Sequence, residues 1–205
     1  TLPYLIFDED TGVKISKFFD IYTYKSSDFK NENMRKEAFK KLFELHNSDL
    51  VFENNFSPSN VFNEIADTSN PIEKEAREVG FKVVREIKEI GINNNPCHQD
   101  LYSGNFVIYK DQTYLIDWEY SSMGDHFFDY ADLFWQNEFD LDKSMRQQAL
   151  NEIGILKKDD IEKFEYFEIL SMITWGLWAL KRSPDDNDGN NSLIKAINLA
   201  TNKKL

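Results

Sequence analysis

The stretch from Pro96 to Glu119 constrains the fold of this chain more than any other segment, and it reads PCHQDLYSGNFVIYKDQTYLIDWE. It contains two apolar runs, Phe106–Tyr109 and Tyr114–Ile116, separated by the polar residues Lys110–Gln112. Short apolar runs on either side of a polar turn are typical of a β-hairpin. Because antiparallel strands return the chain to its starting point, we expect the residues before the first run to lie beside those after the second.

Chemically reactive residues stand at both ends of this predicted hairpin. His98, Asp100 and Asn105 precede it with the spacing His-x-Asp-x-x-x-x-Asn, and Asp117 follows it. That spacing is the pattern of a catalytic loop for phosphoryl transfer, in which one carboxylate orients the attacking hydroxyl while an amide and a second carboxylate hold Mg²⁺. Asp100, Asn105 and Asp117 can fill those three roles. The alternative is a surface hairpin with polar turn residues, and the joint pattern argues against it.

Three further motifs accompany this one. Ile116–Ser122 reads IDWEYSS, Phe128–Ala131 reads FDYA and Trp175–Trp178 reads WGLW. With the catalytic-loop pattern they resemble the choline and ethanolamine kinases, relatives of the aminoglycoside phosphotransferases, and especially the bacterial choline kinases. The resemblance covers nearly all of the chain. It implies an α+β, protein-kinase-like fold and the phosphorylation of choline to phosphocholine, with ATP and Mg²⁺ as cofactors.

The resemblance also assigns roles to single residues. Asp100 would orient the choline hydroxyl, and His98, which belongs to the same catalytic group, would brace the loop rather than transfer a proton. Asn105 and Asp117 would ligate Mg²⁺. Glu119 would assist through water or a second metal ion.

The two tryptophans of the WGLW motif allow a test of the substrate assignment. Trp175 and Trp178 are three residues apart, so in a helix they share a face and can form adjacent walls of a pocket. A quaternary ammonium would be held there by cation–π attraction, with Tyr120 as a third wall. Taken alone, the helix favours the interpretation that both tryptophans are ordinary core residues. The kinase motif upstream reverses that preference in favour of a binding pocket. Gln136 stands where an acidic residue near the substrate cation is expected, and Glu138 is a possible substitute.

The first residues resemble the end of a kinase small lobe. Tyr4–Asp8 and Val13–Phe19 are predicted strands of a remnant β-hairpin. The segment after them would be a hinge whose backbone binds adenine, with Phe19, Asp20 and Ile21 as the nucleotide-binding residues. The predicted domains are thus 1–24, the end of the small lobe and the hinge, and 25–205, the helical large lobe. The phosphate-covering loop, strand lysine and helix glutamate of complete choline kinases do not occur in these residues, which predicts a fragment or an inactive piece.

Helical periodicity and helix-end signals divide the large lobe into predicted helices and loops. His46 is expected as a hydrogen-bonded helix-end residue, and Asp129 either braces the catalytic loop, as in the family, or is a helix-start carboxylate. The predicted loops are aromatic-rich Asp49–Phe62 and mobile Ser183–Ser192. The predicted helices run from about Met34 to His46, Asn70 to Gly91, Phe127 to Asn137, Met145 to Ile153, Asp159 to Arg182, and Leu193 to Ala200.

Composition restricts the partners. The net charge of −12 argues against nucleic acid and anionic membranes, which require basic patches. A single cysteine, Cys97, cannot form an internal disulfide and is expected as a small buried residue in a reducing compartment. With neither a signal peptide nor a membrane span in the sequence, we expect a cytoplasmic protein. Alternatives to choline kinase are an ethanolamine, thiamine or aminoglycoside kinase, or a non-catalytic module that binds a quaternary amine or a partner protein. The sequence leaves the oligomeric state open.

Overall fold

The structure is a computed structural model that describes residues 6–8, 10–54, 56–139 and 142–205. It is α+β and mostly helical, as predicted. The helices are α1 (Glu32–His46), α2 (Pro58–Ile65), α3 (Pro71–Ile90), α4 (His126–Gln136), α5 (Lys143–Glu152), α6 (Lys158–Arg182) and α7 (Asn187–Asn202). The strands are β1 (Ile6–Phe7), β2 (Lys14–Ile15), β3 (Tyr22–Thr23), β4 (Asn95–Cys97), β5 (Phe106–Tyr109), β6 (Gln112–Leu115) and β7 (Ser122–Gly124).

The strands form three small antiparallel sheets, ordered β1-β2, β3-β5-β6 and β4-β7. β5 and β6 are the hairpin predicted from the sequence, with Phe106 opposite Leu115 and Tyr109 opposite Gln112. Their turn places Lys110 and Asp111 at φ values of 49° and 60°, the left-handed conformation that a two-residue hairpin turn requires. The hairpin therefore closes as the apolar runs and polar turn indicate.

α6 is the centre of the helical part, because α2, α3, α4 and α7 all pack against it. It is apolar around most of its circumference, as expected of a helix with neighbours on every side. Phe164, Ile169, Ile173 and Leu177 are fully buried along it. Each such side chain stabilises the fold by roughly 1.5–3 kcal/mol relative to an exposed one.

α3 begins and ends where the sequence predicts. Asn70 accepts a hydrogen bond from the Ile72 amide at 3.0 Å, and Pro71 occupies the first helical position. Gly91 follows the last turn at a φ of 115°, a value that residues with a β-carbon rarely adopt. This helix leads the chain directly to β4 and the predicted catalytic loop.

Two predicted loops are wrong in part. α2 begins inside the predicted loop Asp49–Phe62, because Phe62 is fully buried against α3, where a β-carbon on Gly80 would come within 2.5 Å of its ring. α7 begins inside the predicted mobile loop Ser183–Ser192, since Asp186 caps it by accepting from the Gly189 amide at 2.7 Å. Packing between helices makes both segments helical, and neither hydrophobic periodicity nor composition reveals that packing.

The N-terminal strands are shorter than predicted. Residues 4–5 of the first predicted strand lie outside the described residues, and the second strand ends at Ile15 rather than Phe19. The predicted hinge contains β3, which pairs with β5 through Tyr22 opposite Ile108. None of the helices in the described part of the chain combines the length and apolar character needed to cross a bilayer.

A buried ion pair joins α1 to α5. Arg35 is 1% exposed and donates from Nε and Nη2 to the two Glu152 carboxylate oxygens at 2.7 Å, while Nη1 donates to the Phe29 carbonyl at 2.9 Å. Glu152→Gln removes the countercharge but keeps the shape, and we expect it to lower the free energy of unfolding by about 2 kcal/mol. Urea denaturation measures this. The exposed Glu32, paired with Lys36 on the same helix, supplies the control, since Glu32→Gln should leave the midpoint unchanged. Equal midpoints for both variants would contradict the prediction.

Candidate active site

Asp129 anchors the base of the loop that carries Asp100. It is fully buried in the first turn of α4 and accepts hydrogen bonds from the backbone amides of His98 at 2.9 Å and Gln99 at 2.7 Å. His46, the last residue of α1, donates from Nε2 to the same carboxylate at 2.8 Å. The bracing role predicted for Asp129 and the helix-end hydrogen bond predicted for His46 are both confirmed.

Cys97 lies beside this brace. With His46 and Asp129 it forms a buried group of side chains whose ligand-type atoms lie within 4.8 Å of one another. Burial, reinforced by the Asp129 charge, raises the pKa of the Cys97 thiol far above its ordinary value, so the sulfur stays protonated. Its thiol donates to the Asn95 carbonyl at 3.4 Å. Because Asp129 already accepts from three donors, the group is a hydrogen-bonded brace, and Cys97 is the small buried residue predicted.

His98 is fixed from both ring nitrogens. It is fully buried, and Nε2 donates to the Ile116 carbonyl at 2.9 Å. Nδ1 accepts a long hydrogen bond, 3.4 Å, from the Asp100 amide, and the ring packs on Trp118 with centroids 4.8 Å apart. These contacts tie the predicted catalytic loop to the residues that follow β6, which is the geometry of a brace.

Asp100 and Asn105 face each other across the loop. Asn105 is buried, and Nδ2 donates to the Asp100 backbone carbonyl at 2.9 Å and to its carboxylate at 3.1 Å. Burial raises the pKa of the Asp100 carboxyl, while the His98 ring and the Asn105 hydrogen bond oppose that shift and the Asp117 charge adds to it. A half-buried carboxylate held in this way is suited to orient a hydroxyl and accept its proton.

The hairpin returns Asp117 to Asn105, as predicted. The Ile116 amide donates to the Asn105 carbonyl at 3.1 Å, and Asp117 follows at a φ of 64°, exposed to solvent. Residues other than glycine seldom adopt this left-handed backbone conformation, and those that do cluster at functional sites. Since the Asn105 amide nitrogen binds Asp100, its Oδ1 is the atom left for a cation. An amide oxygen and a carboxylate are ligand types that Mg²⁺ takes, so these residues fit the ion.

Four aromatic side chains, Phe56, Tyr120, Trp175 and Trp178, form what we call the aromatic cluster. Tyr120 meets the two tryptophans nearly edge to face, with centroids 5.2 Å from Trp175 and 6.0 Å from Trp178. Phe56 stacks on Trp175 at 6.2 Å and meets Tyr120 at 5.7 Å. The structure therefore brings Tyr120, Trp175 and Trp178 together. Trp175 Nε1 is buried and has no hydrogen-bond partner among the described residues.

Charged groups border the aromatic cluster. Burial raises the pKa of the Tyr120 hydroxyl, and the negative charges of Glu119 and Asp100 raise it further. Lys181 Nζ lies 5.7 Å from the Trp178 ring centre. Ser121, the residue after Tyr120, donates from its hydroxyl to the His98 carbonyl at 3.4 Å, which joins the segment of the cluster to the loop of Asp100. Glu119 is exposed.

Gln136 is bound to its own helix rather than free to meet a substrate. Its Nε2 donates to both carboxylate oxygens of Asp132, at 2.9 and 3.0 Å, and it also lies close enough to the Asp100 carboxylate to lower that pKa by hydrogen bonding. Glu138 is exposed two residues further on.

The predicted nucleotide-binding residues directly precede β3, an edge strand of the three-stranded sheet β3-β5-β6. Phe19 is half-buried and packs edge to face on Tyr109 of β5, with centroids 5.0 Å apart. Asp20 is exposed, Ile21 is half-buried, and β3 follows immediately. Their role stays a prediction.

Two residues of the site escaped the sequence-based prediction. Phe56 belonged to a segment expected to be a loop, and its only signal was its aromatic character. Asp132 lies one turn after Asp129 on α4 and is fully buried. Its signal was a carboxylate within an otherwise apolar helix face, which is rare without a buried partner.

The chain resembles known phosphotransferases in sequence and fold. Residues 93–165 match the sequence model of the phosphotransferase enzyme family. Protein LicA of Haemophilus influenzae is 24% identical over an alignment of 206 positions, which covers 92% of this chain and 60% of that protein. Choline kinase LicA of Streptococcus pneumoniae has a TM-score of 0.83 at 23% identity over 98% of this chain and 74% of that one. LicA in complex with AMP gives 0.80 at 23% over 97% and 72%. Residues 93–165 are thus similar to the phosphotransferase enzyme family, the fold is kinase-like as predicted, and the chain spans about 60% of the length of this Haemophilus relative.

Proposed function

We infer that the protein carrying this chain transfers the terminal phosphoryl group of ATP to the hydroxyl of choline. One observation carries the proposal: the Asp100 carboxylate is hydrogen-bonded to Asn105, and the Ser121 hydroxyl, next to Tyr120 of the aromatic cluster, donates to the His98 carbonyl of the same loop at 3.4 Å. A carboxylate that binds a hydroxyl and aromatic faces that bind a methylated ammonium match the two ends of choline. The kinase-like fold and the phosphotransferase-family match support the reaction class.

In the proposed mechanism, Asp100 receives the choline hydroxyl, orients it toward the phosphorus and accepts its proton. Asn105 holds Asp100 in place, and His98 fixes the loop that carries both. Asn105 Oδ1 and Asp117 would hold Mg²⁺, which would neutralise charge on the phosphates. Because the transition state is loose, these residues act by positioning rather than by covalent chemistry.

The chemistry of the aromatic cluster favours a quaternary over a primary ammonium. Choline's ammonium carries no hydrogen to donate and binds through its methyl groups, so π faces suit it. Ethanolamine's ammonium would require acceptors in place of its water shell. Gln136 offers little help, since its amide is bound to Asp132. We therefore propose choline ahead of ethanolamine, thiamine and aminoglycosides.

We also propose that residues 1–24 are the end of a small lobe and its hinge, and that 25–205 form the large lobe. Phe19, Asp20 and Ile21 would then contact adenine. A nucleotide in this position is compatible with a kinase-like neighbour whose structure contains AMP. An ATP-dependent reaction also implies the cytoplasm.

Isothermal titration of the 205-residue chain tests the substrate. We expect choline to bind and ethanolamine to bind at least about tenfold more weakly. Trp178→Ala should raise the choline dissociation constant about tenfold, because it removes one π face. Phe43→Ala removes an exposed aromatic ring from α1 and should change nothing. Choline affinity that is unaffected by Trp178→Ala would rule out the aromatic cluster as its site.

A non-catalytic module that binds quaternary amines is the second candidate. One observation favours it: Tyr120 lies edge to face against Trp175 and Trp178, and such an aromatic cluster can bind a quaternary amine without any chemistry. ATP with Mg²⁺, titrated alone and into the choline complex, separates the two candidates. Binding of both ligands, together with faster ATP consumption with choline than with the other acceptors tested, supports the choline kinase. Faster consumption with another acceptor would make that acceptor the proposed substrate instead.

A further inference from the structure

One buried carboxylate joins the two halves of the candidate site. Asp132 is fully buried on α4 and accepts four hydrogen bonds from three groups. The Leu101 amide donates to it at 2.6 Å, and the Ser171 hydroxyl donates at 2.5 Å. The Gln136 amide donates to both of its oxygens, at 2.9 and 3.0 Å. A carboxylate this far from water is stable only when such donors surround it.

Each donor belongs to a different part of the site. Leu101 directly follows Asp100 in the catalytic loop, so its amide fixes the backbone on which the proposed base stands. Gln136 lies one turn after Asp132 on α4 and holds both of its carboxylate oxygens. Ser171 lies on α6, one turn before Trp175, where the two side chains share a face of the helix. Asp132 therefore holds the loop of the proposed base and the helix of the aromatic cluster at the same time.

The Ser171 hydroxyl extends this network. It accepts a hydrogen bond from Trp135 Nε1 at 2.7 Å while it donates to Asp132. Its single proton is thus directed at the carboxylate, and its orientation is fixed by the half-buried Trp135 indole. A side chain with both hydrogen bonds made in this way defines the separation of α4 and α6 closely.

We propose that Asp132 is a positioning residue that couples the catalytic loop to the aromatic cluster, so that binding of an ammonium at the cluster tightens the loop around Asp100. The proposal rests on the proposed function. It goes beyond packing, because an apolar residue of similar size fills a helix interface at lower free energy than a buried charge does. Burial raises the pKa of Asp132 to about 7, against the opposing hydrogen bonds from Leu101 and Ser171.

Hydrogen exchange of the loop, with and without choline, tests the coupling. In the wild-type chain we expect choline to slow exchange across residues 98–105 about fivefold. Asp132→Asn should speed exchange of the Leu101 amide about tenfold without ligand, because the charged acceptor is lost. It should also abolish the response to choline. Glu73→Gln is the matched control: Glu73 is a buried carboxylate at the start of α3 that accepts from the Asp67 amide, and its variant should keep the response.

Ser171→Ala separates coupling from a merely structural role and remains informative if Asp132→Asn does not fold. It cuts the link to α6 but leaves the Leu101 amide bonded to Asp132. We expect normal loop protection without choline, intact choline binding, and a choline response below about twofold. The coupling would be overturned if choline slows hydrogen exchange in Ser171→Ala as much as in the wild type. It would also be overturned if choline binds the wild-type chain without slowing exchange of the loop. Absence of choline binding to the wild-type chain would instead overturn the proposed function.

Discussion

Asp100→Asn is expected to lower the turnover number for choline phosphorylation by about 10²–10⁴-fold. The asparagine keeps the size of the side chain and can still accept from Asn105 Nδ2, but it cannot accept the proton of the choline hydroxyl. Since the ammonium end of choline binds elsewhere, the choline dissociation constant should stay within about twofold. The measurement is ATP consumption, in the 205-residue chain or in that chain extended to the length of its relatives, beside titration of choline.

The pH dependence gives a second check on Asp100. Because burial raises its pKa, turnover should fall as pH drops through a value above that of an ordinary aspartate, and Asp100→Asn should remove that decline. Asp111→Asn is the control, since Asp111 is an exposed aspartate in the turn of the same hairpin, at a φ that asparagine tolerates. Turnover that survives in Asp100→Asn would show that another group accepts the proton.

The hairpin and the loop before it were predictable because their determinants are local. Two apolar runs and a polar turn set the register of β5 and β6, and the register alone brings Asp117 beside Asn105. α3 was equally predictable, since Asn70, Pro71 and Gly91 are end signals that act within a few residues. In these segments local preference and the final fold agree.

α2 and the start of α7 were not predictable by the same means. Pro58, Ser59 and Asn60 are typical of a turn, and Val61 and Phe62 gain their helical conformation from packing against α3 and α6. Gly189 reads as a helix breaker, yet a β-carbon there would come within 3.0 Å of the Gly176 carbonyl on α6. The close approach of two helices requires glycine at this point, and it is visible only once both helices are placed.

The candidate site likewise has a part that local sequence predicts and a part that it does not. Spacing alone predicts Asp100, Asn105 and Asp117 as site residues, because the residues of a catalytic loop lie close together in sequence. The Asp132 network joins α4, α6 and the loop through side chains far apart in the chain. No short-range pattern predicts that Ser171 and Asp132 meet, so their hydrogen bond could be found only in the three-dimensional structure.

Asp129→Ala is expected to lower the free energy of unfolding by about 4 kcal/mol. The substitution leaves two buried backbone amides, those of His98 and Gln99, and the His46 imidazole without their acceptor. Gln99 also has a φ of 69°, a conformation that costs about 1–3 kcal/mol and persists only where neighbours enforce it. For a domain of this size, the melting temperature should fall by roughly 10 °C.

The same substitution should abolish turnover even below its melting temperature, because Asp129 sets the backbone from which Asp100 projects. Urea denaturation and circular dichroism measure the stability, and ATP consumption well below the transition measures the activity. Asp185→Asn, at an exposed position outside the site, should match the wild type in both. If Asp129→Ala melts within about 2 °C of the wild type, the amides of His98 and Gln99 have found other acceptors, and Asp129 is not what holds the loop. If it melts early yet turns over normally while folded, the brace stabilises the protein without placing Asp100.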